Sequence, residues 1–313
     1  MIQFVDQNVQ SLGIAPSSED AMLKLIEKAG RVAYRSEDKI TEDSAAKFVQ
    51  HLKGLGHLSV LEHSNIVMSA WLPEYNKPTF EPAAYATFAD RTAFHRFRQI
   101  GQRGYFSGNI RAWLESVAFL AEKYVGDHSP LLESLHFYLH EYFPSLFPSV
   151  IGLTKDDIQE PLTLVPATEQ LEILRADPGT DLPIFVFKIV CDRGISHEIV
   201  RHRVFSFTQE STRYVNYGGK GLTLIKPEEY DACNAHCYKE IPVFYEGMLY
   251  SGLKPQIARD VLPNLLKTEI VVSGRWSGWK HFIELRDNKA AHPRIQKIGR
   301  SIREWFENVG LAL

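Results

Sequence analysis

The sequence predicts a mixed α/β fold of the α+β type, in which a central sheet is flanked by helices. Stretches with helical periodicity recur along the 313 residues and outnumber the strand-like runs. The run at 184–191 is rich in β-branched and aromatic residues, which is typical of a buried strand. Hydrophobic residues make up 44% of the chain and charged residues 23%, so a sizeable core can form in one large domain or two.

The first predicted elements are two helices and a strand. Residues 18–34 carry an apolar stripe that includes Met22 and Ile26, and Ser18 is placed to cap this helix. Residues 42–54 repeat the pattern and predict a second helix that ends at Gly54. The apolar run at 66–71 then predicts a short strand.

Residues 72–182 differ in composition, because proline and aromatic residues are frequent there. Periodicity predicts helices at 107–125 and 129–142, whereas 156–159 and 169–177 are predicted to be exposed linker or loop. A basic run is predicted to be a solvated helix face, with contact to a folate tail or a phosphate as the alternative. This run comprises Arg91, His95, Arg96, Arg98 and Arg103.

The last third of the chain alternates again between strand and helix. After the strand at 184–191, a short helix at 192–200 is predicted to deliver Arg201. Pro255 stands at a favourable first-turn position of one later helix. The helices predicted here are 241–253, 255–267, 276–288 and 292–308.

Charge and cysteine content exclude several classes of protein. The net charge of −3 argues against a protein that coats nucleic acid. Three cysteines are too few for a disulfide framework and fit a reducing compartment. The first twelve residues lack the basic head and apolar core of a signal peptide, and no run of about 18 apolar residues occurs. We therefore expect a cytoplasmic location.

The run 201–214, RHRVFSFTQESTRY, is the most informative stretch of the chain. It contains Arg201, Arg203 and Arg213, and arginine suits phosphate because its planar fork donates in pairs and keeps its charge. Three arginines so close together repel one another unless an anion lies between them, and Glu210 alone cannot satisfy all three. A solvated face is the usual interpretation of such a run, but the interleaved apolar residues favour burial. We therefore expect a ligand with phosphate groups.

The spacing Arg-His-Arg, seven residues, Ser over 201–211 resembles the signature of the flavin-dependent thymidylate synthases. The resemblance extends over roughly residues 20–71 and 183–305. It implies a single domain over residues 1–313, in which a largely helical insertion occupies about 72–182. Other segments similar to the family's motifs are Gly30–Ser36, Gly56–His63, Arg259 with Leu262–Pro263, Trp279–Arg286 and Ala291–His292.

The resemblance also implies a reaction. The family makes dTMP from dUMP with a one-carbon unit from methylenetetrahydrofolate, while reduced FAD supplies the hydride and NADPH reduces the flavin again. Its members are homotetramers whose active sites form at subunit interfaces. For this chain the resemblance implies FAD as cofactor, NADPH and methylenetetrahydrofolate as co-substrates, and no metal, nucleic acid or membrane partner.

Matching positions imply the roles of individual residues. Arg286 corresponds to the arginine that stabilises negative charge on the uracil ring, which makes it the catalytic candidate. The residues implied to hold dUMP are Glu198, Arg201, Gln209, Glu210, Ser211, Thr212, Arg213, Arg259 and Arg286. Those implied to hold FAD are His57, Ser59, Arg201, His202, Arg203, Gln209, Arg275 and His281.

Three positions depart from the family's pattern. Glu198 stands where many relatives carry an amide, and a carboxylate there can only accept hydrogen bonds when it is ionised. Arg275 stands where relatives usually have an asparagine that touches the flavin, and Ser277 where they usually have an arginine. The positive charge has moved two residues along the chain, which suggests that Arg275 takes over the missing flavin contact.

Two functions of other classes stay open on the residues alone. One is a binding module that grips nucleotides or nucleic acid through the arginines without chemistry. The other is a metal-dependent hydrolase, for which the histidines are His57, His63, His197 and His202. The last two miss the zinc motif His-Glu-x-x-His by one residue. A further cluster has only three possible ligands, which favours surface helix residues: Cys233, His236 and Cys237. The sequence contains no Gly-x-Gly-x-x-Gly, so an ordinary dinucleotide-binding domain is not predicted.

Overall fold

A computed structural model describes residues 2–71, 95–123, 130–148, 154–158, 161–218, 221–227 and 232–313. Strands and helices alternate through these residues. The strands are β1 (Ile2–Val5), β2 (Asn8–Ile14), β3 (Ile66–Trp71), β4 (Arg96–Ile100), β5 (Arg103–Gly108), β6 (Thr163–Leu164), β7 (Ile184–Asp192), β8 (Ser206–Gln209), β9 (Leu222–Ile225) and β10 (Lys267–Arg275).

The helices connect these strands and cover the sheets. They are α1 (Glu19–Tyr34), α2 (Ser44–Gly54), α3 (Ile110–Lys123), α4 (Pro130–Tyr142), α5 (Ala167–Ala176), α6 (Arg193–Ile199), α7 (Ala232–Tyr250), α8 (Pro255–Ala258), α9 (Trp276–Arg286) and α10 (Pro293–Asn308). Short 3-10 turns lie at Glu37–Lys39, Leu58–Glu62, Lys155–Asp157 and Arg259–Val261. In the part of the chain described, no helix is long and apolar enough to cross a membrane.

The central sheet has the strand order β2-β7-β10-β8, and all its pairs are antiparallel. Successive side chains of a strand point to opposite faces, and β7 is buried on both. Phe187 packs in a core with Phe282 of α9 and Ile298 of α10. Val186 packs in a second core with Ala29 of α1. The predicted mixed α/β class, with a sheet between helices, is confirmed.

A second antiparallel sheet has the order β4-β5-β3-β6. Its core joins Met68 of β3 and Phe106 of β5 to Met22 of α1, Val49 of α2 and Trp113 of α3. The block at 72–182 was predicted to be largely helical, and in its described part the helices α3, α4 and α5 do hold more residues than the strands β4, β5 and β6. That part contributes three strands besides three helices, because β3 is buried and accepts partners on both of its edges.

A parallel pair of short strands, β1 and β9, forms the third sheet. Tyr217 and Leu224 pack there with Tyr245 of α7. This core lies directly after the arginine-rich run, so it fixes the C-terminal end of that run.

Most of the predicted elements are confirmed, with boundaries shifted by a few residues. These are the helices at 18–34, 42–54, 107–125, 129–142, 192–200, 276–288 and 292–308 and the strands at 66–71 and 184–191. The helix predicted at 241–253 begins earlier, at Ala232. Ser18 stands at the N-cap of α1, but its side chain makes no capping hydrogen bond.

Three predictions of local structure are wrong. Residues 169–177 form most of helix α5 and not a loop, because Leu174 and Gln170 are buried on one side of it. The helix predicted at 255–267 ends at Ala258, since Pro263 lacks an N–H and disfavours helical backbone before it. The basic run is not a helix face: Arg96 and Arg98 lie in β4 and Arg103 begins β5, while Arg91 lies outside the described residues.

Candidate active site

The arginine-rich run leaves helix α6 and crosses the outer strand β8 of the central sheet. Arg201, Arg203 and Arg213 are exposed. Within the described residues none of these three side chains forms an ion pair, and Arg213 lies 5.4 Å from the ring centre of Tyr214. Guanidinium groups without carboxylate partners remain available to an anionic ligand.

Arg286, at the end of helix α9, contacts two other predicted site residues. Its Nη1 donates to the Glu198 carboxylate at 2.8 Å, and its Nη2 donates to the Glu198 carbonyl at 3.2 Å. Its Nε donates to His202 Nε2 at 3.0 Å. The fold thus brings together three residues that are up to 88 positions apart in the chain.

His202 is buried, and its environment favours the neutral ring. Burial, together with the positive charge of Arg286 and the neighbouring His281, lowers the pKa of His202 to about 4. A neutral ring has one nitrogen lone pair, and in this structure Nε2 uses it to accept from Arg286. His202 therefore orients Arg286 and is not a cation of the site at neutral pH.

Glu210 is buried, and protein groups occupy its carboxylate. The Tyr217 hydroxyl donates to Oε1 at 2.8 Å, and Lys267 Nζ lies 3.4 Å from Oε2. Burial and the Glu210 charge raise the pKa of Tyr217. The side chain of Glu210 thus holds the run in place, and we assign contacts with a ligand to its neighbours.

Those neighbours also have hydrogen-bond partners within the protein. Gln209 Nε2 donates to Ser196 Oγ at 2.8 Å and to Thr268 Oγ1 at 3.2 Å. The Ser211 hydroxyl accepts from the Arg213 backbone N–H at 3.2 Å. Exposed Arg259 lies 3.5 Å from Thr212 Oγ1, which brings a fourth predicted arginine to this part of the surface.

A cavity of about 520 Å³ lies between the arginine-rich run and the motif Gly56–His63. His57 and Ser59, which are both exposed, line it together with Gln209 and Tyr34. The sequence placed these residues in one site only through the family resemblance, and the fold does bring them together.

His63 has a structural environment. It is fully buried, and its two ring nitrogens lie 2.9 Å from Ser273 Oγ of β10 and from Thr208 Oγ1 of β8. Burial lowers its pKa to about 3. Nowhere in the described chain do three or more His, Cys, Asp or Glu residues cluster in a way that could hold a metal ion. The side chains of Cys233 and His236 lie outside the described residues.

A second cavity, of about 320 Å³, lies at the start of helix α9. Its lining includes Glu62, Arg96, Asn109, Val204, Arg275, Ser277 and His281. Arg111 Nη1 donates to Glu62 at 2.8 Å, and Ser206 Oγ donates to its other oxygen at 2.7 Å, so this carboxylate is already paired.

Arg275 is buried at the edge of this cavity and is bound by other parts of the protein. Its Nη1 lies 3.0 Å from Ser107 Oγ, 2.9 Å from the Asp181 carbonyl and 2.8 Å from the Leu182 carbonyl. Burial lowers its pKa to about 10, so it keeps its charge at neutral pH. Arg275 was suggested to take over a flavin contact that the family makes through another residue. In this structure its guanidinium already binds Ser107 and two backbone carbonyls, so the flavin would have to share it with these partners.

Sequence reasoning missed Asp181, which accepts from the Ser277 backbone N–H at 3.0 Å and from Ser277 Oγ at 2.6 Å. It also gave Asn109 no role and placed Arg96 on a helix face. No local pattern marks Arg96 and Asn109, because strand pairing in the second sheet brings β4 and the end of β5 to the cavity.

The unpaired arginines and the adjoining cavities are typical of an α/β protein that binds phosphorylated ligands. Residues 180–309 match the family model described as "Thymidylate synthase complementing protein". This part of the chain is therefore similar to that family. The matched range contains the arginine-rich run and Arg286 but excludes His57 and Ser59. The roles of all these residues stay predictions.

Curated flavin-dependent thymidylate synthases match about a third of the chain. A flavin-dependent thymidylate synthase of Thermococcus onnurineus is 32% identical over 117 residues, which is 34% of this chain and 47% of that protein. One of Mycobacterium marinum is 34% identical over 125 residues, which is 34% of this chain and 50% of that protein. The chain thus spans about half the length of the curated relatives it matches.

Proposed function

We propose that this protein is a flavin-dependent thymidylate synthase. It converts dUMP to dTMP with methylenetetrahydrofolate as carbon donor and reduced FAD as hydride donor, and NADPH reduces the FAD again. One observation carries the proposal. The matched region 180–309 contains Arg286 in contact with Glu198 and His202. The same region contains exposed arginines that have no carboxylate partner among the described residues. A cytoplasmic location stays a prediction.

The residues present fit the binding of FAD. Its diphosphate needs cations, and Arg201 and Arg203 are exposed and free of ion pairs among the described residues. His57, Ser59 and Gln209 line one adjoining cavity, and His281 lines the other. When bound, FAD supplies the hydride chemistry, while the protein supplies binding, orientation and charge.

The remaining predicted residues suit the nucleotide. Arg213 and Arg259 are exposed cations at the C-terminal end of the run, where they would hold the phosphate of dUMP. Arg286 is fixed by His202 and would place a permanent positive charge against the uracil ring. Such a charge favours the electron-rich ring that attacks the one-carbon unit.

The assembly is proposed to be a homotetramer with active sites at subunit interfaces. Ligand-binding arginines spread from position 201 to 286 would then meet residues of neighbouring subunits. The exposed apolar side chains of Val243 and Phe244 on helix α7 support a buried contact between chains.

The test is dTMP formation from dUMP, methylenetetrahydrofolate and NADPH, with and without added FAD. We expect product that depends on FAD and survives a chelator. Retained FAD without dTMP would instead indicate another flavin reaction. A colourless protein that binds nucleotides with a steep salt dependence would support the binding module.

A further inference from the structure

The cavity at the start of helix α9 contains donors that the protein leaves without acceptors. Asn109 is 1% exposed, and its Nδ2 has no hydrogen-bond partner among the described residues. The same holds for the buried Nε of Arg96, whose closest carboxylate oxygen is Asp181 Oδ2 at 3.9 Å. Both residues line the cavity. A buried donor without an acceptor is costly unless a ligand or water supplies one.

The charges around this cavity also leave an excess of positive charge. After burial, the positive charge of Arg96 also lowers the pKa of Arg275, and the acid that acts on Arg275 is Asp181. Asp181 is engaged by Ser277, and Glu62 is engaged by Arg111. A cavity with surplus cations and open donors attracts an anion with several acceptor oxygens.

Arg275 and Ser277 are both engaged by other parts of the protein. The Nη1 of Arg275 is used by Ser107 and by the carbonyls of Asp181 and Leu182. Ser277 donates its hydroxyl to Asp181. The positions at which the family places its flavin contacts are therefore occupied by internal bonds in this chain.

We propose that Arg96 and Asn109 bind the diphosphate of the flavin dinucleotide, in addition to the exposed Arg201 and Arg203. Both residues come from the block at 72–182, so that block contributes directly to the cofactor site. Arg96 supplies the charge that Ser277 lacks, and the Asn109 amide donates to a phosphate oxygen. This inference rests on the proposed function and deepens it, because it assigns part of the cofactor site to the block.

The test measures the affinity of the purified chain for FAD by flavin fluorescence and by the flavin retained after gel filtration. Arg96→Met keeps the length of the side chain but removes the charge. Asn109→Asp keeps the oxygen that accepts from the Ala112 N–H at the start of α3, and replaces the donor by a negative charge. We expect each change to raise the Kd for FAD about tenfold, as for one lost charge-assisted hydrogen bond.

Arg98→Met is the matched control, because Arg98 lies on the same strand and donates to the carbonyls of Gly179 and Phe97. It should change the Kd much less. The Kd for dUMP should stay unchanged in Arg96→Met, whereas a weaker dUMP complex with normal FAD binding would place the nucleotide here and overturn the inference. Normal FAD affinity in both variants would overturn it as well. A wild-type chain that binds no FAD would instead refute the proposed function itself.

Discussion

Arg286 and Glu198 form the closest contact between opposite charges in the predicted nucleotide site, at 2.8 Å. In this state Glu198 neutralises the cation that is proposed to face the uracil ring. A glutamine has the same shape but no charge, so it keeps an acceptor for Arg286 while it releases the positive field. The departure at Glu198 therefore weakens the attraction of the site for an electron-rich ligand.

Glu198→Gln is expected to tighten dUMP binding two- to fivefold, which is about the worth of a partly exposed ion pair. Isothermal titration with dUMP measures the Kd directly. Asp20→Asn is a suitable control, because Asp20 pairs with Lys24 at the same distance on the exposed face of α1. Unchanged or weaker dUMP binding in Glu198→Gln would contradict this role.

Arg286→Ala is expected to reduce dTMP formation at least about 100-fold, the usual cost of removing one stabilising donor from a transition state. FAD should stay bound, because Arg201 and Arg203 remain. Single-turnover assays with FAD-loaded protein measure both quantities. Arg300→Ala is the control, since Arg300 lies on the next helix and only approaches Asp287 at 3.7 Å. Wild-type turnover in Arg286→Ala would refute the catalytic assignment.

At the residue scale, the sequence predicted the arginines of the site but not their partners. The spacing of Arg201, Arg203 and Arg213 indicated an anion site because three cations crowd a short run. Asn109 gave no such signal, since its place depends on the pairing of the strand before it with distant β3. Asp181 gave none either, because its partner Ser277 lies 96 positions further along the chain. The inward orientation of Glu210 was equally hidden, because Tyr217 and Lys267 meet it only in the folded protein.

At the scale of elements, His63 links the 3-10 turn at Leu58–Glu62 to strands β8 and β10. Its pKa is lowered by burial from 6.5 to about 3, and that of His202 to about 4. The folded protein keeps both rings neutral, whereas the unfolded chain takes up protons near pH 6.5. Their contribution to stability is thus fully present above pH 6.5 and is lost as the pH falls toward 4.

We therefore expect the free energy of unfolding to decrease between pH 6.5 and pH 4. His63→Gln should flatten this dependence by up to about 1.4 kcal/mol per pH unit, which corresponds to one proton. Glutamine cannot titrate but can still bond Ser273 or Thr208. Urea unfolding at several pH values measures the slope, with exposed His51→Gln as the control. An equal slope in His63→Gln would show that His63 does not govern the transition.

Helices were easier to predict than strands for a physical reason. An amphipathic helix such as α10 repeats its buried residues along one face, and Ile295, Ile298 and Ile302 reveal it. Strand β10 is buried on both faces, so its sequence lacks a clear alternation of polar and apolar residues. It was not predicted as a strand, and its first residue, Lys267, was included in the helix wrongly predicted at 255–267. Strand β8 has four residues inside a polar run, which is too short for a pattern.

At the scale of the whole molecule, helix α7 presents an apolar surface that the described part of the chain leaves uncovered. Val243 and Phe244 are each 61% exposed, and Tyr250 is 96% exposed. Exposed apolar residues on one helix are costly in water and typical of a contact with another chain. The proposed homotetramer would bury such a surface and would also complete active sites from several subunits.

Sedimentation should therefore give a mass about four times the chain mass of 35.7 kDa. Phe244→Glu places a charge in the proposed contact, so it is expected to lower the mass and reduce dTMP formation together. Lys239→Glu changes a charge on the same helix without removing an apolar group, and it should leave the mass unchanged. If Phe244→Glu gave smaller particles with full activity, each chain would hold a complete site by itself. The arginines from 201 to 286 would then have to meet one ligand within a single chain. Such a site is possible in principle, because Arg286 donates to His202, the residue next to Arg201. Titration of the Phe244→Glu particles with FAD and dUMP would test it, since a complete site in one chain keeps both Kd values unchanged.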